Sequence, residues 1–219
     1  MAARYRLVIG NKNWSSWSLR PWIAMRRAGL DFEETNVRLR RPDSKAQIEK
    51  HSPSGLVPTL IDGDLVIWDS LSILEYLAEQ HPDKQLWPAE RDARARARSV
   101  AAEMHSGFQP LRQHCPMEVL ARNPMSEVAP EVGANAQRIV ALWKDCRDQF
   151  GSKGPFLFSH FTVADAMYAP VASRFRTYFP DLAPFGDDGT AQTYVDTIFA
   201  MPEMAAWEAG AREEMARTD

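Results

Sequence analysis

Asn11-Lys12-Asn13-Trp14-Ser15-Ser16-Trp17-Ser18-Leu19-Arg20 follows directly on the short apolar run Leu7-Val8-Ile9. The order reads as a buried strand, a polar turn rich in hydroxyls, and a helix opening at the Ser16-Trp17-Ser18 triplet. The first N–H groups of such a helix have no partner inside it, and its dipole presents positive charge there. The junction therefore favours an anion. A hydroxyl held at that place donates a hydrogen bond that keeps a thiolate or oxyanion in its charged form.

On either side of this junction strand and helix alternate. Tyr5–Ile9 is a strand candidate, and 16–28 reads as a helix with Leu19, Trp22 and Ile23 on one face and Gly29 as its stop. Phe32–Val37 reads as a second strand and 44–51 as a short helix. Thr59–Ile61, the Asp62-Gly63 turn and Leu65–Trp68 form a hairpin pattern. Leu71, Leu74, Leu77 and Ala78 then keep helical spacing up to His81-Pro82. The order βαβ–α–ββα implies a small mixed sheet with helices packed on it. A linker bracketed by Pro82 and Pro88 follows, and beyond Glu90 strand signals vanish. Helices are expected over 91–114, 134–150, 162–173, 191–201 and 202–212. The alternation Arg94/Arg96/Arg98 reads as a solvated helix surface.

The chain has 219 residues, enough for one large domain or two small ones. A net charge of −3 leaves no basic footprint for nucleic acid or an anionic membrane. Two cysteines, Cys115 and Cys146, make no disulfide framework, and neither stands in a metal-binding spacing. The five histidines, His51, His81, His105, His114 and His160, are scattered, so no metal site is expected. No run approaches the roughly twenty apolar residues of a membrane span, and no signal-peptide core opens the chain. A cytoplasmic setting is the resulting expectation.

Four segments, in order and spacing, resemble the glutathione transferase superfamily over essentially the whole chain. Ser15-Ser16-Trp17-Ser18-Leu19-Arg20 resembles the active-site segment of the zeta class, a Ser-Ser pair with an arginine five residues after the first serine. Trp17 and Leu19 stand where that class has Cys and Trp. Val57-Pro58-Thr59-Leu60 is similar to the Val-Pro step of a thioredoxin-like domain, where the proline is cis. Asp69-Ser70 resembles the pair that opens a helix and takes the γ-glutamyl end of glutathione, with Asp in place of the usual Glu or Gln. Thr162-Val163-Ala164-Asp165 resembles the capping motif of a core helix, without the upstream glycine in Phe158-Ser159-His160-Phe161.

The resemblance implies an α/β thioredoxin-like N-terminal domain over 1–83, a linker over 84–90 and an all-α helical bundle over 91–219, acting as a homodimer. It implies glutathione as co-substrate, with Val57, Pro58, Asp69 and Ser70 binding it. Val57 would pair with its cysteinyl unit through the backbone, as one extended peptide pairs with another. Each position also has a plainer reading: Pro58 as the start of an edge strand, Asp69 and Ser70 as a helix cap. Ser15, Ser16 and Ser18 compete as the hydroxyl that stabilises the thiolate. The resemblance selects Ser15 by its distance from Arg20, with Ser16 next. A free thiol of this kind titrates at roughly 8.5, and lowering it by about two units takes about 2.7 kcal/mol of preferential stabilisation. One charge-assisted hydrogen bond at a helix terminus supplies energy of that order.

A second substrate, a small electrophile, is expected between the domains beside Trp17, Met104, Phe108 and Gln109. Arg176 matches an arginine that zeta enzymes offer to a dicarboxylate, with Arg174 close enough to compete and a surface ion pair as the plain alternative. His105 reads as a helix-surface residue or a base. Trp14 and Trp17 read as cleft walls or as core. Three activities remain open. The first is a transferase in which the serine-held thiolate attacks the electrophile. The second is a zeta-like isomerase turning maleylacetoacetate about its cis double bond, in aromatic amino-acid catabolism. The third is a non-catalytic binding protein on the same fold.

Overall fold

Leu7, Val8 and Ile9 form the middle of β1 (Tyr5–Gly10), one of the two strands with neighbours on both sides in a computed structural model that describes residues 3–217. Positions 1, 2, 218 and 219, which end the two domains expected from the sequence, lie outside the described residues. The chain continues through α1 (Ser16–Arg27), β2 (Phe32–Val37), α2 (Ser44–Glu49), β3 (Thr59–Asp62), β4 (Leu65–Trp68) and α3 (Ser70–Gln80). The sheet order is β2-β1-β3-β4, with β1 parallel to β2, antiparallel to β3, and β3–β4 a hairpin. The crossover through α1 accounts for the parallel pair, which a tight turn cannot connect.

Alternation along β1 sets what each face carries. Leu7 and Ile9 join the main core against α1 and α3, while Val8 points to the other face, into a small cluster with Val37 and Ile48 of α2. Helix α1 is buried beyond its expected apolar face: Ser18, Arg20 and Pro21 are also shielded, because α7 packs on it as well as α3. Gly29, at φ +67°, ends it as expected.

The helical part comprises α4 (Arg91–Ser106), α5 (Gln109–His114), α6 (Pro130–Phe150), α7 (Val163–Tyr178), α8 (Thr190–Phe199) and α9 (Pro202–Ala216). One helix was expected over 91–114, and two are found. Gly107 ends α4, Phe108 adopts φ +60°, and Pro110 sits in the first turn of α5. Pro110 has no N–H for a continued helix, but costs nothing at a helix start. Arg112 then turns back to donate to the carbonyls of Met104, His105 and Gly107, which the break leaves open. Helix α7 runs past Ser173 to Tyr178 with Pro170 inside it.

The capping box forms as written: Thr162 N donates to Asp165 Oδ2 at 2.8 Å. Asp165 is fully buried and also accepts from Leu157 N–H (3.1 Å) and the Tyr194 hydroxyl (3.0 Å). Burial pushes its carboxyl up, and these donors partly offset that. Upstream, Ser159 itself takes the left-handed conformation (φ +72°) that a glycine takes more cheaply. Its hydroxyl compensates by donating to Phe150 O at 2.7 Å. Trp143 of α6 lies at the centre of the bundle, in ring contact with Tyr168, Phe175 and Tyr194. The same hydrophobic core runs without interruption from β1 to α9.

Candidate active site

The strand–helix junction closes on itself through Ser18. Gly10 N–H donates to Ser18 Oγ at 3.1 Å, and the Ser15 hydroxyl donates to the same oxygen at 2.7 Å. Ser15 stands at the N-cap of α1, yet its side chain caps no N–H there. Its own N–H and that of Trp14 are held by Asn11 O, at 2.8 and 3.1 Å. Ser15 and Ser16 are 6% and 7% exposed, and Ser18 is sealed. Ser15 is therefore a nearly buried hydroxyl at a helix N-terminus, oriented by a second hydroxyl behind it.

A cleft of about 500 Å³ opens beside this helix start, lined by Trp17, Val57, Pro58, Asp69 and Ser70. The Val57–Pro58 peptide is cis. Pairing of β3 with β1 begins at Thr59, so the Val57 backbone lies beyond the last rung of the ladder. Asp69, at φ +74°, caps α3 by accepting from Leu71 and Ser72 N–H at 2.9 and 3.2 Å. Sequence reasoning missed three further wall residues, Ser54, Leu56 and Trp68. Leu56 and Trp68 are 68% and 48% exposed, unusual for large apolar side chains. Their positions, one residue before Val57 and Asp69, were the available signal. A larger hollow of about 760 Å³ lies between the Pro88–Ala93 segment and the end of α6, and carries none of the expected site residues.

Beneath the cleft sits Arg20. Its Nη1 donates to Ser70 Oγ at 3.2 Å, and its guanidinium lies 4.1 Å from the Trp17 ring centre. Nε and Nη2 have no hydrogen-bond partner, and the side chain is wholly buried. Burial first, then the like charges of Arg112 and Arg174, lower its pKa well below the usual arginine value. Across the cleft, His105 Nε2 meets Asp69 Oδ2 at 3.2 Å and its ring stands edge-on to Trp17. His105 thus joins α4 to the α3 cap, an arrangement that its helical spacing did not reveal.

The other residues singled out for a second substrate are dispersed. Met104 and Phe108 are buried in the common core, and Gln109 is exposed at the start of α5. Arg176 pairs with Glu208 of α9 and stacks on Phe199. Arg174 is buried, donating to Cys115 O (2.8 Å) and Pro170 O (3.1 Å), and burial lowers its pKa to about 10. Burial pushes the thiols of Cys115 and Cys146 up to about 11 and about 12, so neither ionises readily. Among the described residues no group of three or more His, Cys, Asp or Glu could hold a metal, and no helix is long and apolar enough to cross a membrane.

Comparison with known proteins agrees with this geometry. The family model described as glutathione S-transferase, N-terminal domain, matches residues 14–80, and the C-terminal domain model of the same family matches 118–210. The chain is 39% identical over 97 residues to a probable maleylacetoacetate isomerase of Caenorhabditis elegans, covering 44% of this chain and 45% of that protein. It is 28% identical over 177 residues to a maleylpyruvate isomerase of Ralstonia sp, covering 78% of this chain and 83% of that one. The chain thus spans under half the length of the first of these relatives. A solved glutathione transferase homolog from Burkholderia gl BGR1, with bound glutathione, superposes with a TM-score of 0.69 at 21% identity, covering 95% of this chain and 98% of that one. The two family models together cover most of the chain, from the start of α1 through the cis-proline step to α3 and then from before α6 into α9, and the chain belongs to the glutathione S-transferase superfamily.

Proposed function

We propose that the protein is a glutathione transferase in which Ser15 holds the glutathione thiolate for attack on a small electrophile. The observation that carries this reading is the single cleft in which Val57, Pro58, Asp69 and Ser70 meet beside the N-terminus of α1. Glutathione fits its chemistry from end to end. The α3 N-terminus with Ser70 takes the γ-glutamyl carboxylate, Asp69 its ammonium, and the free backbone of Val57 pairs with the cysteinyl unit. The thiol then reaches the start of α1. A hydroxyl that already donates to Ser18 needs only to swing to a sulfur anion, and a thiolate is the stronger acceptor. Ser16 adds its hydroxyl, its N–H being held by Trp14 O at 3.0 Å.

A second reading is favoured by the printed names of two relatives, both isomerases. Here glutathione adds to a cis double bond, the new single bond rotates, and elimination returns glutathione unchanged. In that reading Arg176 must exchange Glu208 for a substrate carboxylate. The protein would act as a homodimer in the cytoplasm, which sedimentation and fractionation check.

The test is a pH titration of the thiolate absorbance of bound glutathione in wild type, Ser15→Ala and Ser16→Ala. The wild-type thiol is expected to titrate about two units below the free value of roughly 8.5, a shift lost in Ser15→Ala. Reversion in Ser16→Ala alone moves the role by one residue. An unshifted wild-type thiol leaves a binding protein without activation. Glutathione consumed in step with product then marks a transferase, and glutathione recovered unchanged marks an isomerase.

A further inference from the structure

The loop that carries Ser15 is gripped from outside by the far end of the chain. Glu214 of α9 accepts from Lys12 N–H (2.9 Å) and Asn11 Nδ2 (3.3 Å) through one carboxylate oxygen, and from Asn36 Nδ2 (2.6 Å) through the other. Trp207, one face of the same helix earlier, donates its indole N–H to Lys12 O at 2.8 Å. Both backbone groups of Lys12 are thus taken by α9, about two helical turns apart. The Lys12 ammonium lies near the rings of Trp22 and Trp207, at 5.6 and 5.8 Å, and pairs with Glu34 at 2.7 Å. Gly210 stands where the Lys12 side chain passes: a Cβ there would lie 2.7 Å from Lys12 Cδ and 3.0 Å from Nζ.

The grip reaches Ser15 in one further step. Asn11, held by Glu214 through its side chain and by Leu39 N–H at 2.7 Å on its Oδ1, accepts the Ser15 N–H on its carbonyl. On the inner side Asn13 is tied to Val119 and Leu120 N–H, both at 3.1 Å. The turn contains no helix or ladder of its own, so these outside bonds set its conformation.

We propose that Glu214, supported by Trp207 and Gly210, is a positioning residue for Ser15, so that α9 sets thiolate activation without lining the cleft. Glu214 touches no group that lines the cleft, so affinity for glutathione with its thiol protonated and activation of that thiol separate. The inference rests on Ser15 as the thiolate donor.

The experiment measures two quantities in wild type, Glu214→Ala, Glu214→Gln, Gly210→Ala and Ser15→Ala: the dissociation constant of reduced glutathione and the pKa of its bound thiol. Glu214→Ala and Gly210→Ala are expected to raise the thiol pKa by about one unit and to lower turnover about 10-fold, with glutathione affinity measured near pH 6, where the bound thiol stays largely protonated, within about twofold of wild type. Glu214→Gln, which keeps one accepting oxygen, is expected to restore part of the shift. If Glu214→Ala does not fold, Glu214→Gln and Gly210→Ala carry the comparison. A wild-type thiol pKa in the Glu214 and Gly210 variants, beside a reverted one in Ser15→Ala, overturns the α9 role and leaves the activity reading standing. A wild-type pKa in Ser15→Ala overturns the activity reading and the positioning role together. Affinity and pKa lost in parallel in the Glu214 variants overturns positioning in favour of general loosening.

Discussion

Arg20 is a guanidinium sealed from water, with one nitrogen on Ser70 and two without a partner. Two other arginines repel it, and the nearby carboxylate of Asp69 already serves His105 and the α3 cap. A buried charge so poorly matched costs stability, and replacing such groups by apolar ones of similar volume is often neutral or favourable. Arg20→Met is expected to raise the unfolding free energy of the ligand-free protein by about 1 kcal/mol, measured by urea denaturation. Glutathione affinity should fall about 10-fold in the same variant, because Ser70 loses the donor that holds its oxygen and turns its O–H toward a carboxylate. A loss of stability with unchanged affinity would make Arg20 a packing residue. The serine segment announced an anion from its local pattern, whereas burial of the arginine five residues on depends on α7, which the local pattern does not contain.

At the scale of elements, α7 is the part most dependent on a few polar atoms. Asp165 gathers Thr162, Leu157 and Tyr194 with no exposure to water. Asp165→Ala removes a helix cap and strands a buried N–H and a buried hydroxyl, costing about 3–5 kcal/mol together. Chemical denaturation should show that loss, with glutathione affinity at saturating protein stability little changed. The capping box was readable because its four residues are contiguous. The break at Gly107–Phe108 has no such contiguous signature even with Pro110 beside it, because helical spacing of apolar residues continues across it. What decides is Phe108 in a left-handed conformation, with Arg112 satisfying the carbonyls of α4.

For the whole molecule, one core joins sheet and bundle, and the loop after β1 meets α9 through Lys12, Trp207 and Glu214. Unfolding is therefore expected as one transition, with tryptophan fluorescence and far-ultraviolet circular dichroism coinciding. Two separated transitions would show that the sheet and the bundle melt independently. Glutathione at about 100 times its dissociation constant should add about 2.7 kcal/mol to the stability, moving both probes together.

Contiguous signals told the strand–helix order, the serine junction, the Val57–Pro58 step, the Asp69-Ser70 cap and the Thr162–Asp165 box, because each is written within a few neighbouring residues. Tertiary structure alone decided which of these residues share a cleft. It brought Trp17 to Val57 and Ser70, set His105 on Asp69, buried Met104 and Phe108 in the core, and turned Arg176 to Glu208. It also tied Glu214 to Lys12 across nearly the whole chain. Periodicity assigns a side chain to a face of its own element, but the partner of that face is set by how the elements pack, which no local spacing encodes.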